Sequence, residues 1–157
     1  MTGPVATTAP TATLLIRIAV GAVFLSEGIQ KFLFPDSVGA GRFASIGIPN
    51  PELMAPFVGA VEIVCGALVL LGLATRLAAL PLMAVMIVAI VTTKIPILLG
   101  YDLGPFQVRS MSQYGFWSMA HESRTDFAML LGSLFLLLVG AGRWSIDAVI
   151  GRRGRAV

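Results

Sequence analysis

Thiol and imidazole chemistry is nearly absent from this chain, which has one cysteine, Cys65, and one histidine, His121. A lone cysteine excludes an intramolecular disulfide and a Cys-x-x-Cys redox pair. A lone histidine excludes paired haem ligation, and no glycine-rich nucleotide motif occurs. These residues therefore cannot hold a covalent redox centre by themselves. Charge is scarce too: 12% of the residues are charged, against about a quarter in soluble domains. No stretch interleaves basic and aromatic residues, which argues against nucleic-acid binding. Before the first apolar run there is no basic segment, and no small-residue cleavage site follows it, so the first span is expected to stay in the protein.

What the chain has instead is apolar surface. Of its 157 residues 57% are hydrophobic, and the mean hydropathy is +0.90. Crossing ~30 Å of hydrocarbon takes about 20 helical residues, and four runs approach that length, at about 14–34, 53–74, 77–99 and 125–142. The expected fold is all-α, an integral membrane antiparallel four-helix bundle occupying 14–150. A lead over 1–13, rich in threonine and proline, is expected to be disordered, and 151–157 form a basic tail. Only a tight turn at Thr75 and Arg76 separates the second and third runs, which makes them an antiparallel hairpin. The longest connection, 100–124, holds Tyr101, Phe106, Tyr114, Phe116 and Trp117, a density that suits an interface or a lid over the bundle. Trp144 is expected to anchor the opposite face.

Basic residues cluster after the last run, at Arg143, Arg152, Arg153 and Arg155. Such arginines face cytoplasmic anionic lipid, so a bacterial inner-membrane location with both termini in the cytoplasm is expected. Arg17, early in the first run, is expected to snorkel to the same headgroups.

Charges inside apolar runs cost several kcal/mol at the bilayer centre unless paired or hydrated, and they mark functional or lattice positions. Up-down threading brings Glu27, Lys31, Glu62, Lys94 and Asp126 to the outer half of one bundle. Glu27 and Lys31 share a helix face in the favourable order. Gly59, Glu62 and Gly66 share another, and Gly21 and Gly28 form a comparable small-residue seam. Pro96 cannot donate to the carbonyl of Thr92, so the third run is expected to kink near 92–94. Asp126 is placed at the start of the fourth run, with Ser123 or Thr125 as its cap.

Glu27, Glu62 and Lys94 are the candidate proton or ligand cluster, and Gln30, Lys31, His121 and Asp126 are candidate ligand-binding neighbours. The bland reading is an ion-pair lattice that only locks the helices. His121, Glu122 and Asp126 suggest a metal site only weakly, and no metal is expected. Cys65 is expected to be a small core residue.

Three segments, LLIRIAVGAVFLSEGIQKF, GIPNPELMAPFVGAVEIVCGALVLLGLATRLAAL and HESRTDFAMLLGSLFLLLVGAGRWSIDA, resemble the DoxX family of small four-helix membrane proteins. That family takes its name from a subunit of a membrane thiosulfate:quinone oxidoreductase. Similar mycobacterial proteins are associated with a membrane oxidoreductase complex that contains a superoxide dismutase and a sulfurtransferase. The resemblance implies a membrane subunit of a quinone-linked oxidoreductase or redox-stress complex; for electron transfer, either a quinone binds here as a non-covalent cofactor or the redox chemistry resides on a partner. Its implied partners are soluble or membrane oxidoreductase subunits; composition makes the lipid bilayer a further partner, and the glycine-rich helix faces leave a homo-oligomer as an option. The competing functions are a non-catalytic anchor or assembly subunit and a proton-coupled small-molecule transporter.

Overall fold

A computed structural model describes residues 10–153; the first nine residues of the expected lead and the tail from 154, including Arg155, lie outside the described residues. The chain is an all-helical membrane bundle. Helix α1 spans Thr13–Leu33, the short α2 Ala40–Ser45, and α3 Pro51–Leu71. Helix α4, Thr75–Ala89, widens into a π turn at Ile90–Lys94 and continues as α5, Ile95–Leu99. Helix α6 spans Phe116–Val139, and α7, Ile146–Arg153, closes the described chain. Among the described residues three rods, Thr13–Leu33, Pro51–Leu71 and Thr75–Leu99, are long and apolar enough to cross a membrane by length and composition.

The fourth long helix begins nine residues before the expected start at 125, because α6 opens at Phe116. Backbone hydrogen bonds need no apolar side chains, so a hydropathy pattern loses the polar first half of this helix. Asp126 is therefore not at a helix start but about three turns in, and the helix-dipole argument for it falls away. Ser123 and Thr125 are likewise interior residues and not caps; the Ser123 hydroxyl donates to the carbonyl of Ala120 at 3.4 Å. The preceding connection shortens to 100–115.

Helix α1 packs most extensively on α3, and α4 on α6. Glycine makes the first pairing possible. A Cβ on Gly28 would meet the carbonyl oxygen of Gly59 at 2.6 Å, and one on Gly66 would meet the Leu25 nitrogen at 2.8 Å. The two glycine patterns on α1 and α3 are thus two sides of one seam, with backbones in direct contact.

The two helix pairs meet in a core confined to the cytoplasm-proximal ends of the expected topology, called the inner half below. Val20, Phe24, Cys65, Val69, Ala79, Leu82 and Leu136 fill it. Arg17 anchors that end. It is 2% exposed and does not snorkel, since its guanidinium donates to the carbonyls of Val69 (2.9 Å), Leu70 (2.5 Å), Ala141 (3.3 Å) and Trp144 (2.5 Å). The α3 terminus leaves orphan carbonyls, and bonding them is worth more than reaching water. Asp147 completes the knot: its carboxylate accepts from the N–H groups of Ala74 (2.7 Å) and Thr75 (3.1 Å), capping α4 from the far end of the chain.

Candidate functional site

The outer half of the bundle is hollow. A cavity of about 750 Å³ lies between the α1–α3 and α4–α6 pairs. Its floor is the top of the core at Phe24 and Met129. Its walls are mainly aliphatic, and charged groups project into it from four directions.

Lys31 reaches across the α1–α3 seam to Glu62, with Nζ to Oε2 at 2.6 Å and the two side chains only 9% and 3% exposed. The expected Glu27–Lys31 side-chain pair does not form. The Lys31 ammonium touches only the backbone carbonyl of Glu27, at 3.5 Å, because the buried Glu62 offers a stronger, desolvated partner. Lys94 pairs with Asp126 at 3.3 Å, tying the π turn to α6. Arg109 holds Glu122 at 3.6 Å.

The π turn positions Lys94. Pro96 leaves the backbone one donor short, and the extra residue of the wider turn takes up the defect. Threonine hydroxyls satisfy freed carbonyls there: Thr92 donates to Val88 at 2.9 Å and Thr93 to Ala89 at 2.6 Å. Lys94 then projects inward from the turn, 9% exposed.

Glu27 stands apart. It lines the cavity and is exposed, and among the described residues no donor reaches its carboxylate. It is close enough to Glu62 for the two like charges to repel. A carboxylate left without a partner at bilayer depth is the clearest sign of a ligand or proton role in the molecule.

Of the residues expected to form a site, Glu27, Gln30, Lys31, Glu62, Lys94 and Asp126 all line this cavity. His121 does not. It is exposed on α6 and shares its ring nitrogens with Arg124 at 3.1 Å. Gln30 donates to Ser26 at 2.9 Å. Among the described residues no three His, Cys, Asp or Glu side chains group as a metal site.

Arg42 and Phe43 of α2, with Ile46 and Ile48, also line the cavity and were not anticipated. A six-residue helix is too short to show a period. The proline and glycine punctuation around 35–49 marks only a loop. This segment forms a roof fastened to the later connection: the Gln107 N–H donates to Ile46 at 3.2 Å, and Gly47, at φ +81°, lies directly on the Pro105 carbonyl where no side chain fits.

A membrane helical bundle with a roofed, charge-lined cavity in its outer half is the class this architecture defines. The DoxX family model matches residues 12–95, and the chain belongs to that family. An "Uncharacterized membrane protein Rv3486" of Mycobacterium tuberculosis is 53% identical over 147 residues, covering 94% of this chain and 86% of the relative. A Bacillus subtilis protein named "Putative oxidoreductase CatD" is 30% identical over 138 residues, covering 88% and 86% respectively. No solved structure matches the chain.

Proposed function

We propose that this protein is the membrane subunit of a quinone-linked oxidoreductase and that the outer cavity receives the quinone head group. The observation that carries the reading is the unpartnered Glu27 carboxylate beside the Lys31–Glu62 and Lys94–Asp126 ion pairs in a cavity whose walls are mainly aliphatic. Its volume of about 750 Å³ lies within the range of small-molecule sites. The name of the Bacillus relative supports the redox part.

The residues suit a head group with two carbonyl oxygens. An ammonium has three donors, so Lys31 and Lys94 each keep donors after meeting Glu62 and Asp126. They would hold the oxygens, and Glu27 would take or give the accompanying proton. The quinone supplies electron-accepting capacity. One cysteine and one histidine cannot do so here, and the electrons would come from a partner subunit. Arg143 and Arg152 at the inner end support placing both termini in the cytoplasm.

A second reading rests on the same ion pairs. Lys31–Glu62 joins α1 to α3 and Lys94–Asp126 joins the π turn to α6, as a purely structural lattice in an anchor subunit would. Organic extraction of the full-length protein purified in lipid nanodiscs separates the two. Close to one quinone per chain, lost in Glu27→Gln, supports the first reading. An extract without quinone, with no saturable binding of added decylubiquinone, rejects it.

A further inference from the structure

Residues that line the cavity and are also exposed mark its rim, and among the described residues there are six: Glu27, Arg42, Phe57, Ala84, Val88 and Thr125. They divide by chemistry and by place. Phe57 lies on α3, and Ala84 and Val88 on α4, so the opening between these two helices has an entirely apolar edge. Glu27 on α1, Thr125 on α6 and Arg42 on the roof are polar, and they edge the other side.

The hairpin geometry explains the apolar opening. Helices α3 and α4 are pinned together at the inner end by the Gly72–Ala74 turn and the Asp147 cap. They contact each other much less than α1 contacts α3, as α1 and α6 do on the polar side, and the cavity wall between α3 and α4 includes Val61, Pro81 and Val85. Phe57 is six residues from the outer end of α3, and Val88 eleven from the end of the rod at Leu99. At 1.5 Å per residue those positions lie ~9 and ~16 Å from the helix ends, a depth that falls in hydrocarbon when the ends of these spanning rods sit at the headgroups. Above, the cavity is covered by the roof fastened at Ile46–Gln107.

We infer that the α3–α4 opening is a lateral portal to the bilayer, and that the ligand is a membrane-phase amphiphile whose apolar tail leaves the protein between Phe57 and Val88. The head group then meets Glu27 and the two lysines from the lipid side. A tail is what this edge selects: an apolar rim at hydrocarbon depth favours a chain already in the bilayer, whereas a small water-soluble ligand gains nothing from it. The inference rests on the cavity being a ligand site, and it adds the ligand's class and its route.

The test is photolabelling of the full-length protein in nanodiscs with a benzoquinone that carries an alkyl chain ended by a diazirine. Label on α3 and α4 around Phe57, Ala84 and Val88, competed by decylubiquinone, is expected. Competed label on α1, α6 or the roof instead overturns the portal but keeps the cavity as a site. The absence of any competed label overturns both. An independent check is Val88→Trp, which narrows the rim without touching the charges. It should weaken binding of a decyl quinone by roughly ten-fold or more, since buried methylenes carry the tail's affinity, while a tail-less quinone changes little. Equal loss for both, or loss for neither, counts against the portal.

Discussion

The two ends of this bundle treat buried charge in opposite ways. At the inner end Arg17 spends its donors on four carbonyls, and both oxygens of the Asp147 carboxylate are bonded to a helix start. Around them the space is filled by core side chains. At the outer end three ion pairs surround a cavity, and Glu27 has no partner among the described residues. Burial of a charge is thus not itself the functional signal, since both ends bury charge. What distinguishes the outer end is unspent bonding capacity next to empty volume, which is where a ligand gains most and the fold loses least.

Substitutions should follow that division. The largest loss of stability is expected from Arg17→Leu, which leaves several buried carbonyls without donors at about 1–3 kcal/mol each. The variant should fail to accumulate or lose most of its thermal stability in detergent. A melting temperature near that of the wild type would mean that the inner knot is not the lock described here. Next comes Glu62→Met, which strands Lys31. Removing one partner of a buried pair costs about 3–5 kcal/mol. The double variant Lys31→Met/Glu62→Met should recover much of the loss, because an apolar replacement needs no compensation. If the double variant is no better than the single, the pair is bonded to more than itself. Asp147→Ala removes the cap on α4 and should cost about 0.5–2 kcal/mol, seen as earlier proteolysis of the α3–α4 turn.

Much of this was legible in the chain. The depth argument brought Glu27, Lys31, Glu62, Lys94 and Asp126 together because an up-down thread converts position into height. The glycines at 21, 28, 59 and 66 marked the α1–α3 seam, and Pro96 marked the irregular turn that aims Lys94. Partner choice was less legible. Local spacing favoured Glu27 for Lys31, but the winner was set by burial of Glu62, a tertiary property. By sequence Arg17 reads as a snorkelling residue, because no local pattern shows that the C-terminal end of α3 and the 141–144 turn converge on it. The start of α6 is hidden in the sequence because Ser118, His121, Glu122, Ser123 and Arg124 lower its hydropathy, and α2 because six residues carry no period.

Glu27→Gln should disturb stability least and report on function most directly. The exchange keeps size and shape, removes a charge with no partner to lose, and relieves repulsion with Glu62; exposed changes of this kind lie within about 0.5 kcal/mol. Thermal stability should therefore match or slightly exceed the wild type. The carboxylate is nonetheless the proposed proton site, so quinone retention or quinone-dependent turnover of the assembled complex should fall sharply. Glu27→Asp should restore part of it by keeping the acid. A Gln variant that melts normally and retains full quinone content and turnover would make the outer end a lattice like the inner one, and the contrast between them would then be one of packing alone.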